Sequence, residues 1–367
     1  MSRSATINDV ARQAGCGVAT VSRVLNETGP ASASTRQRVL DAASKLNFEF
    51  SDIGRSLQSR KTKTIGCVVP SLANPVFADA VQGLQEEVQR AGYQLLLTCS
   101  NYDPELETIA IRTLLNKQVD GLVLTVSDAH SSEGLKFVTQ RGLPCCLLFN
   151  QSSGGLPSSS VDDASAARAV AEAFADAAHI HTGFLALRFK SSDRSLQRFE
   201  GFTDECRARG MAPPVLLEID EDSGDLSTLL HELLSANNEL SGIFASNDFL
   251  ALAAIHTARS LGRRVPEDLS IVGFDGIQLG SMVEPSLATI ETHPKMMGSD
   301  AAALVLAKIS GDAAPTLSDE GSSYRFRPGN SLASLGSKIT DDGETGFIKP
   351  SHVSTKSKQK KTGRTKQ

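Results

Sequence analysis

The sequence predicts an all-α helix-turn-helix head followed by a two-lobed α/β body. Three observations carry this. Apolar residues in 7–26 recur at helical spacing on both sides of a glycine, strand-like and helix-like stretches alternate from residue 64 onward, and that alternation is interrupted by a Ser/Gly-rich run at 151–160 before it resumes. A chain of 367 residues also exceeds a typical single domain.

In the head, Ile7, Val10, Ala11 and Ala14 share one helical face, and Val18, Val21, Val24 and Leu25 share another. Gly15 supplies the permissive backbone of the turn between them. The second helix leaves Thr20, Ser22 and Arg23 on its open side, where a DNA groove would meet them. An ordinary helical hairpin with a solvated polar face has the same spacing. After a loop at 27–33, Ser32 or Ser34 is placed to cap a third helix whose Val39, Leu40, Ala43 and Leu46 close a small core. Such a head, of about 50 residues, is marginal alone. Residues 51–59, with Ile53 and Leu57 four apart, are too few to hold as an isolated helix and lead into a basic linker at 60–63.

Charge divides the chain in the same place. The net charge is −5, but residues 1–63 carry +5 and residues 348–367 carry +7, which leaves −17 on the stretch between. A basic end on an acidic body suits a phosphate-binding head, because clustered Lys/Arg release the counterions condensed on DNA. A solvated charged surface would give the same count. The six cysteines, at 16, 67, 99, 145, 146 and 206, form no CxxC pair and mostly sit in apolar runs, as reduced core residues of a cytosolic protein would. No leading signal segment and no apolar run of about 18 residues is visible, so the expectation is a cytoplasmic protein with no membrane partner.

Body strands are expected at 65–69, 94–99, 121–126 and 144–149, separated by helices after Asn74-Pro75, at 104–117 and at 131–141. Beyond the break come a helix at 164–178, a strand at 183–187, a helix at 195–210, and strands at 215–219, 242–245 and 270–274. The tail after about residue 334 is poor in aromatic and aliphatic residues and is expected to be a disordered basic segment.

The stretch 7–26, the helix at 35–48, the run 53–66, and the motifs Arg198-Phe-Glu-Gly-Phe202, Ser246-Asn-Asp248 and Val265-Pro-Glu-Asp-Leu-Ser-Ile-Val-Gly-Phe-Asp275 together resemble the lactose-repressor (LacI/GalR) family of bacterial transcription regulators. The likeness runs over roughly residues 5–330. It implies a body like the periplasmic sugar-binding proteins, with the chain crossing three times between lobes. Residues 1–50 would form the head, 51–63 the hinge helix and linker, and 64–333 the effector-binding and dimerisation domain. Lobe one would hold about 64–161 and 293–322, and lobe two about 162–292 and 323–333, leaving 334–367 as the tail.

By this resemblance Val18 and Ala19 select the operator and Arg23 contacts base or phosphate, with Thr20, Ser22 and Asn26 on the same helix. Thr6 and Asn8 are candidate phosphate donors. Leu57 matches a leucine wedged into the minor groove, with Arg55 beside it. Both selector positions are apolar, so they can read a thymine methyl but form no bidentate pair with adenine or guanine. The chain departs from the family at Gly54, where alanine is common, at Phe50 and Ser51, where proline-asparagine is common, and at Gly17, which replaces a capping serine. The effector cleft would lie at the carboxyl ends of strands, with Asn150, Arg198, Asn247 and Asp275 as ligating residues and Phe77 as an apolar wall or a core residue. Asp248 follows Asn247 and is placed to cap the next helix. Asn150 stands where several relatives have aspartate, and Gly276 replaces a second one.

An enzyme is not expected. The sequence has no GxSxG elbow, no GxGxxG after a strand, no HExxH and no Walker loop. His179-Ile-His181 reads as a strand-edge surface pair rather than a metal site, Asp162-Asp163 as caps, and neither a cofactor nor a metal is called for. The resemblance implies a homodimeric repressor of a pseudo-palindromic operator on double-stranded DNA, controlled by a small-molecule effector such as a sugar. The alternative is a solute-binding-protein-like sensor without sequence-specific DNA binding.

Overall fold

The computed structural model describes residues 5–26, 29–48, 61–219, 226–317 and 319–335. Phe50, Ser51, Gly54, Arg55, Leu57 and the tail from 336 onward lie outside the described residues, as does the side chain of Asn26.

The head is three helices, α1 (Ile7–Ala14), α2 (Val18–Asn26) and α3 (Ala33–Lys45). The Asp9 carboxylate accepts from the Thr6 N–H at 3.0 Å and from its hydroxyl at 2.6 Å, which fixes the start of α1. Gly15, at φ +64°, turns the chain out of it. Ser32 caps α3 by accepting from the Thr35 N–H at 3.2 Å. Val10, Val21, Val24 and Val39 fill the core with Ala11, Ala14, Ala42 and Ala43. One side chain expected inside is not there: Leu40 is 44% exposed, whereas Val18, at 40%, is open as a base-reading position has to be. Leu40 stands at the margin of its apolar stripe, beyond what three short helices can cover.

In the body, β1 (Thr64–Val69), β2 (Gln94–Cys99), β3 (Gly121–Leu124), β4 (Cys145–Leu148) and β5 (Ser158–Ser159) form a parallel sheet in the order β2-β1-β3-β4-β5. Helices α4 (Pro75–Arg90), α5 (Pro104–Asn116) and α6 (Glu133–Arg141) connect its strands. A second sheet takes β6 (Thr182–Leu187), β7 (Val215–Ile219), β8 (Gly242–Ala245), β9 (Ser270–Asp275), β10 (Ala288–Glu291) and β11 (Arg325–Arg327) in the order β11-β10-β9-β8-β6-β7. Among the described strands of this sheet, only β11 runs antiparallel to its neighbour. Its helices are α7 (Asp163–Asp176), α8 (Asp193–Ala208), α9 (Leu226–Ala236) and α10 (Asp248–Ser260).

Helix α11 (Pro294–Ser310) returns from β10 to pack on α4. Two glycines permit the approach: a Cβ on Gly83 would stand 1.9 Å from the Lys295 carbonyl oxygen, and one on Gly298 would stand 1.8 Å from that of Ala80. Gly201 does the same between α8 and α7, where a Cβ would meet the Ala164 carbonyl at 2.2 Å. A core running through Ile65, Val69, Ala301, Phe174, Phe184, Phe202 and Phe244 joins strands of both sheets to these helices.

Cys67, Cys145, Cys146 and Cys206 are buried and free, and burial pushes the Cys145 thiol up to about 12 and that of Cys206 to about 11. His179 is a correction to the expected surface pair. It is buried, with Nδ1 2.8 Å from Ser241 Oγ and Nε2 3.0 Å from the Ala333 carbonyl, while His181 alone is exposed.

Candidate DNA-binding face and effector cavity

On α2, Val18, Ala19 and Arg23 are exposed, and Thr20 and Ser22 are half-buried. A Cβ on Gly29 would lie 3.0 Å from Arg23 Cδ, so the bare backbone there lets the arginine stem lie along the loop. Asn8 is exposed. Thr6 directs both its N–H and its hydroxyl to Asp9.

The body site is built at the carboxyl ends of strands. Arg198 projects from α8, its Nε donating to Asp163 Oδ1 at 2.6 Å and its Nη1 to the Ser246 carbonyl. The guanidinium also lies 3.9 Å from Asp275 Oδ1 and 3.5 Å above the centre of the Phe274 ring. Asp275 ends β9 at φ +114°, a conformation that costs a non-glycine residue about 1–3 kcal/mol and that clusters at functional sites. Gly276 follows at φ +77°, where a Cβ would fall 2.6 Å from Glu291 Cα. Burial pushes the Asp275 carboxyl up to about 7; Arg198 opposes the rise and Asp163 adds to it. Asp163 is likewise raised, by burial first.

Asn247, rather than Asp248, caps α10, accepting from the Leu250 N–H at 2.8 Å. Asp248 is buried and accepts from the Ile277 N–H at 2.8 Å and the Thr289 hydroxyl at 2.5 Å. Burial and the neighbouring Asp275 charge push it up to about 8. Gly273 makes room for it, since a Cβ there would meet Asp248 Oδ1 at 2.2 Å. Of the expected cap pair, Asp162 caps α7 through the Ser165 N–H, and Asp163 is instead the buried partner of Arg198.

Phe77, Arg198, Asn247 and Asp275 line a common cavity of about 30 Å³ between the lobes, together with Asn74, Tyr102, Phe149, Ser192, Arg194, Ser195 and Ser246. Phe77 packs edge-on to Phe149 at 5.2 Å and to Tyr102 at 6.3 Å. The Ser246 hydroxyl is buried with no hydrogen-bond partner among the described residues, so its hydrogen-bonding capacity is unused. Asn150 is not in the lining. Its Oδ1 accepts from the Val126 N–H at 2.9 Å, and its Nδ2 donates to the Val126 carbonyl at 2.9 Å and to the Asp193 carboxylate at 2.9 and 3.0 Å. Sequence reasoning missed Asn74, Tyr102, Ser192, Arg194, Ser195 and Ser246. Asn74-Pro75 was readable as a helix start, and Asn74 does accept from the Val76 N–H at 3.2 Å, but nothing local marks it as facing Asp275.

A helix-turn-helix head joined to two parallel-sheet lobes around a polar cavity defines a ligand-responsive transcription regulator. Residues 6–50 match the family described as bacterial regulatory proteins, lacI family, and residues 62–325 match the periplasmic binding proteins and sugar binding domain of the LacI family. The chain belongs to the LacI family. It is 30% identical to the HTH-type transcriptional regulator GntR of Escherichia coli over 89% of this chain and 98% of that one. It is 31% identical to the ribose operon repressor of Halalkalibacterium halodurans, over 83% and 90%. Among solved structures, the lac repressor dimer bound to operator and the anti-inducer ONPF superposes with a TM-score of 0.78 at 22% identity, covering 90% of this chain and 100% of that chain. The protein is thus a DNA-binding transcriptional regulator with an effector-binding body, in a family of regulators rather than enzymes. No helix among the described residues is long and apolar enough to cross a membrane.

Proposed function

We propose that the protein binds a pseudo-palindromic operator as a cytoplasmic homodimer and that a sugar or related metabolite, bound between the lobes, sets its operator affinity. The observation that carries the effector reading is the convergence of Asn74, Phe77 and Tyr102 from the first lobe with Arg198, Ser246, Asn247 and Asp275 from the second. Beyond its bonds to Asp163 and Ser246, the Arg198 guanidinium has further N–H groups to donate, Asp275 accepts from hydroxyls, the Ser246 hydroxyl offers both roles, and the Asn247 carboxamide nitrogen donates. In the head, Arg23 contacts base or phosphate, and Val18 and Ala19 read thymine methyls. By linkage, operator DNA changes effector affinity by the same factor as the effector changes operator affinity.

The test is selection of bound fragments from genomic DNA by the purified chain at moderate salt, where nonspecific binding is suppressed. Recovery of one twofold-related sequence is the expected result. Even recovery of all fragments, with and without added sugars, would remove the operator reading.

A further inference from the structure

We infer that Asp193 and Arg194, at the start of α8, latch the two lobes over a cavity too small for an effector, so that effector binding has to break the latch. This rests on the effector reading above. The Asp193 N–H donates to the Ser127 carbonyl at 2.7 Å, and its carboxylate accepts from the Ala129 N–H at 3.1 Å and from Asn150 Nδ2 at 2.9 Å. Arg194 Nη1 donates to the Val126 carbonyl at 2.9 Å. All four partners lie in the segments that follow β3 and β4 in the first lobe, and both latch residues open α8 of the second. Asn150 is held by Val126 through both ends of its carboxamide, so the first lobe presents a preformed donor to Asp193. The latch residues are 9% and 4% exposed, and their own charges lie 3.3 Å apart, so water competes weakly for these bonds.

The pair is also a partition. Arg194 lines the inner cavity of about 30 Å³, and Asp193 lines an outer hollow of about 630 Å³ between Glu107, Asp128 and His130 on one side and Lys190 and Leu196 on the other. The inner space is of the size of a water molecule or two, whereas small-molecule sites measure about 300–1,000 Å³. Parting the latch removes the wall between the two spaces. The latched arrangement therefore competes with the effector, and apparent affinity scales with the fraction of unlatched molecules.

The test is amide hydrogen exchange on the full chain with no small molecule added, comparing wild type with Asp193→Asn and Asn150→Asp. Asp193→Asn keeps the volume but removes the charge that Asn150 and Ala129 address, and Asn150→Asp sets two carboxylates against each other. In both, exchange over 124–130 and 190–196 is expected to speed up by about tenfold or more, with strands 65–69 and 242–245 unchanged. Wild-type exchange at both latch segments in Asp193→Asn, the isosteric and deciding variant, would overturn the latch. Because no ligand is present, this result is independent of whether a sugar is the effector.

Discussion

Arg198 and Asp163 form a buried ion pair at 2.6 Å that ties α8 to the first turn of α7 beneath the cavity. Asp163 is 1% exposed, and its second oxygen has no partner, so the guanidinium is its main compensation. Removing one member of such a pair strands the other charge, at a cost of about 3–5 kcal/mol. Arg198→Ala is therefore expected to lower the unfolding free energy of the body by that amount in urea titration. Adding Asp163→Asn should recover a substantial part of the loss. A single variant as stable as wild type would mean that the pair contributes little and that Arg198 serves the cavity alone.

Asp248 and Asp275 make the body sensitive to alkali. An acid whose folded pKa lies above its unfolded value holds its proton more tightly when folded. Stability is then lost as pH rises from the unfolded pKa, about 4, through the folded one. For Asp275 and Asp248 the folded values are about 7 and about 8. Carboxylates held low, such as Asp268 at about 2, act in the opposite direction but are fully ionised by pH 5. His179, depressed by burial, opposes the loss up to about pH 6.5. The difference between wild type and Asp248→Asn isolates Asp248. Between pH 5 and 8 the melting temperature of the variant should fall several degrees less, at about 2–4 °C per kcal/mol for a body of this size. Parallel curves would show that Asp248 does not titrate in this window.

Much of this arrangement was legible because buried parallel strands are continuous apolar runs, as in β3 and β4, and because the helices between them carry polar caps. The two-residue β5, Ser158–Ser159, has no apolar signature and was hidden inside a Ser/Gly run. In the site, Arg198, Asn247 and Asp275 were found through motif likeness. Asn74, Tyr102 and Ser246 each follow a different strand, and only the sheet order brings them together. Asn150 ends a strand at the cleft and is expected in the lining on that ground; its hydrogen-bond partners lie 24 and 43 residues away in sequence, so no local pattern reveals that its carboxamide is already filled.

Gly298 marks where α11 touches α4 backbone to backbone. A methyl group there would overlap the Ala80 carbonyl at 1.8 Å and approach the Leu84 nitrogen at 3.0 Å. Neither obstacle is a flexible side chain, so the helices must separate. Although alanine favours the helix by about 1 kcal/mol, Gly298→Ala is expected to destabilise the body by about 1–3 kcal/mol or more. Gly142→Ala provides the contrast: its Cβ meets nothing within 4 Å, and its penalty comes from φ +62° alone. If calorimetry gave Gly298→Ala the higher melting temperature of the two, the close crossing would be wrong.

The 40% exposure of Val18, at the first position of α2, gives the head its most direct test. An isopropyl group offers no hydrogen bond, so any base it reads is read by contact with a thymine C5 methyl. Burying one methyl-sized group is worth about 0.8 kcal/mol, roughly a fourfold change in affinity. Replacing thymine by deoxyuridine one position at a time across the selected operator should therefore lower wild-type affinity about fourfold at one position in each half-site. Val18→Ser should abolish that difference, because it removes the apolar partner while leaving the phosphate contacts in place. The salt dependence of binding should stay the same in wild type and variant, since no phosphate contact is lost. Equal sensitivity to deoxyuridine in both proteins would move methyl reading from Val18 to Ala19 or Thr20.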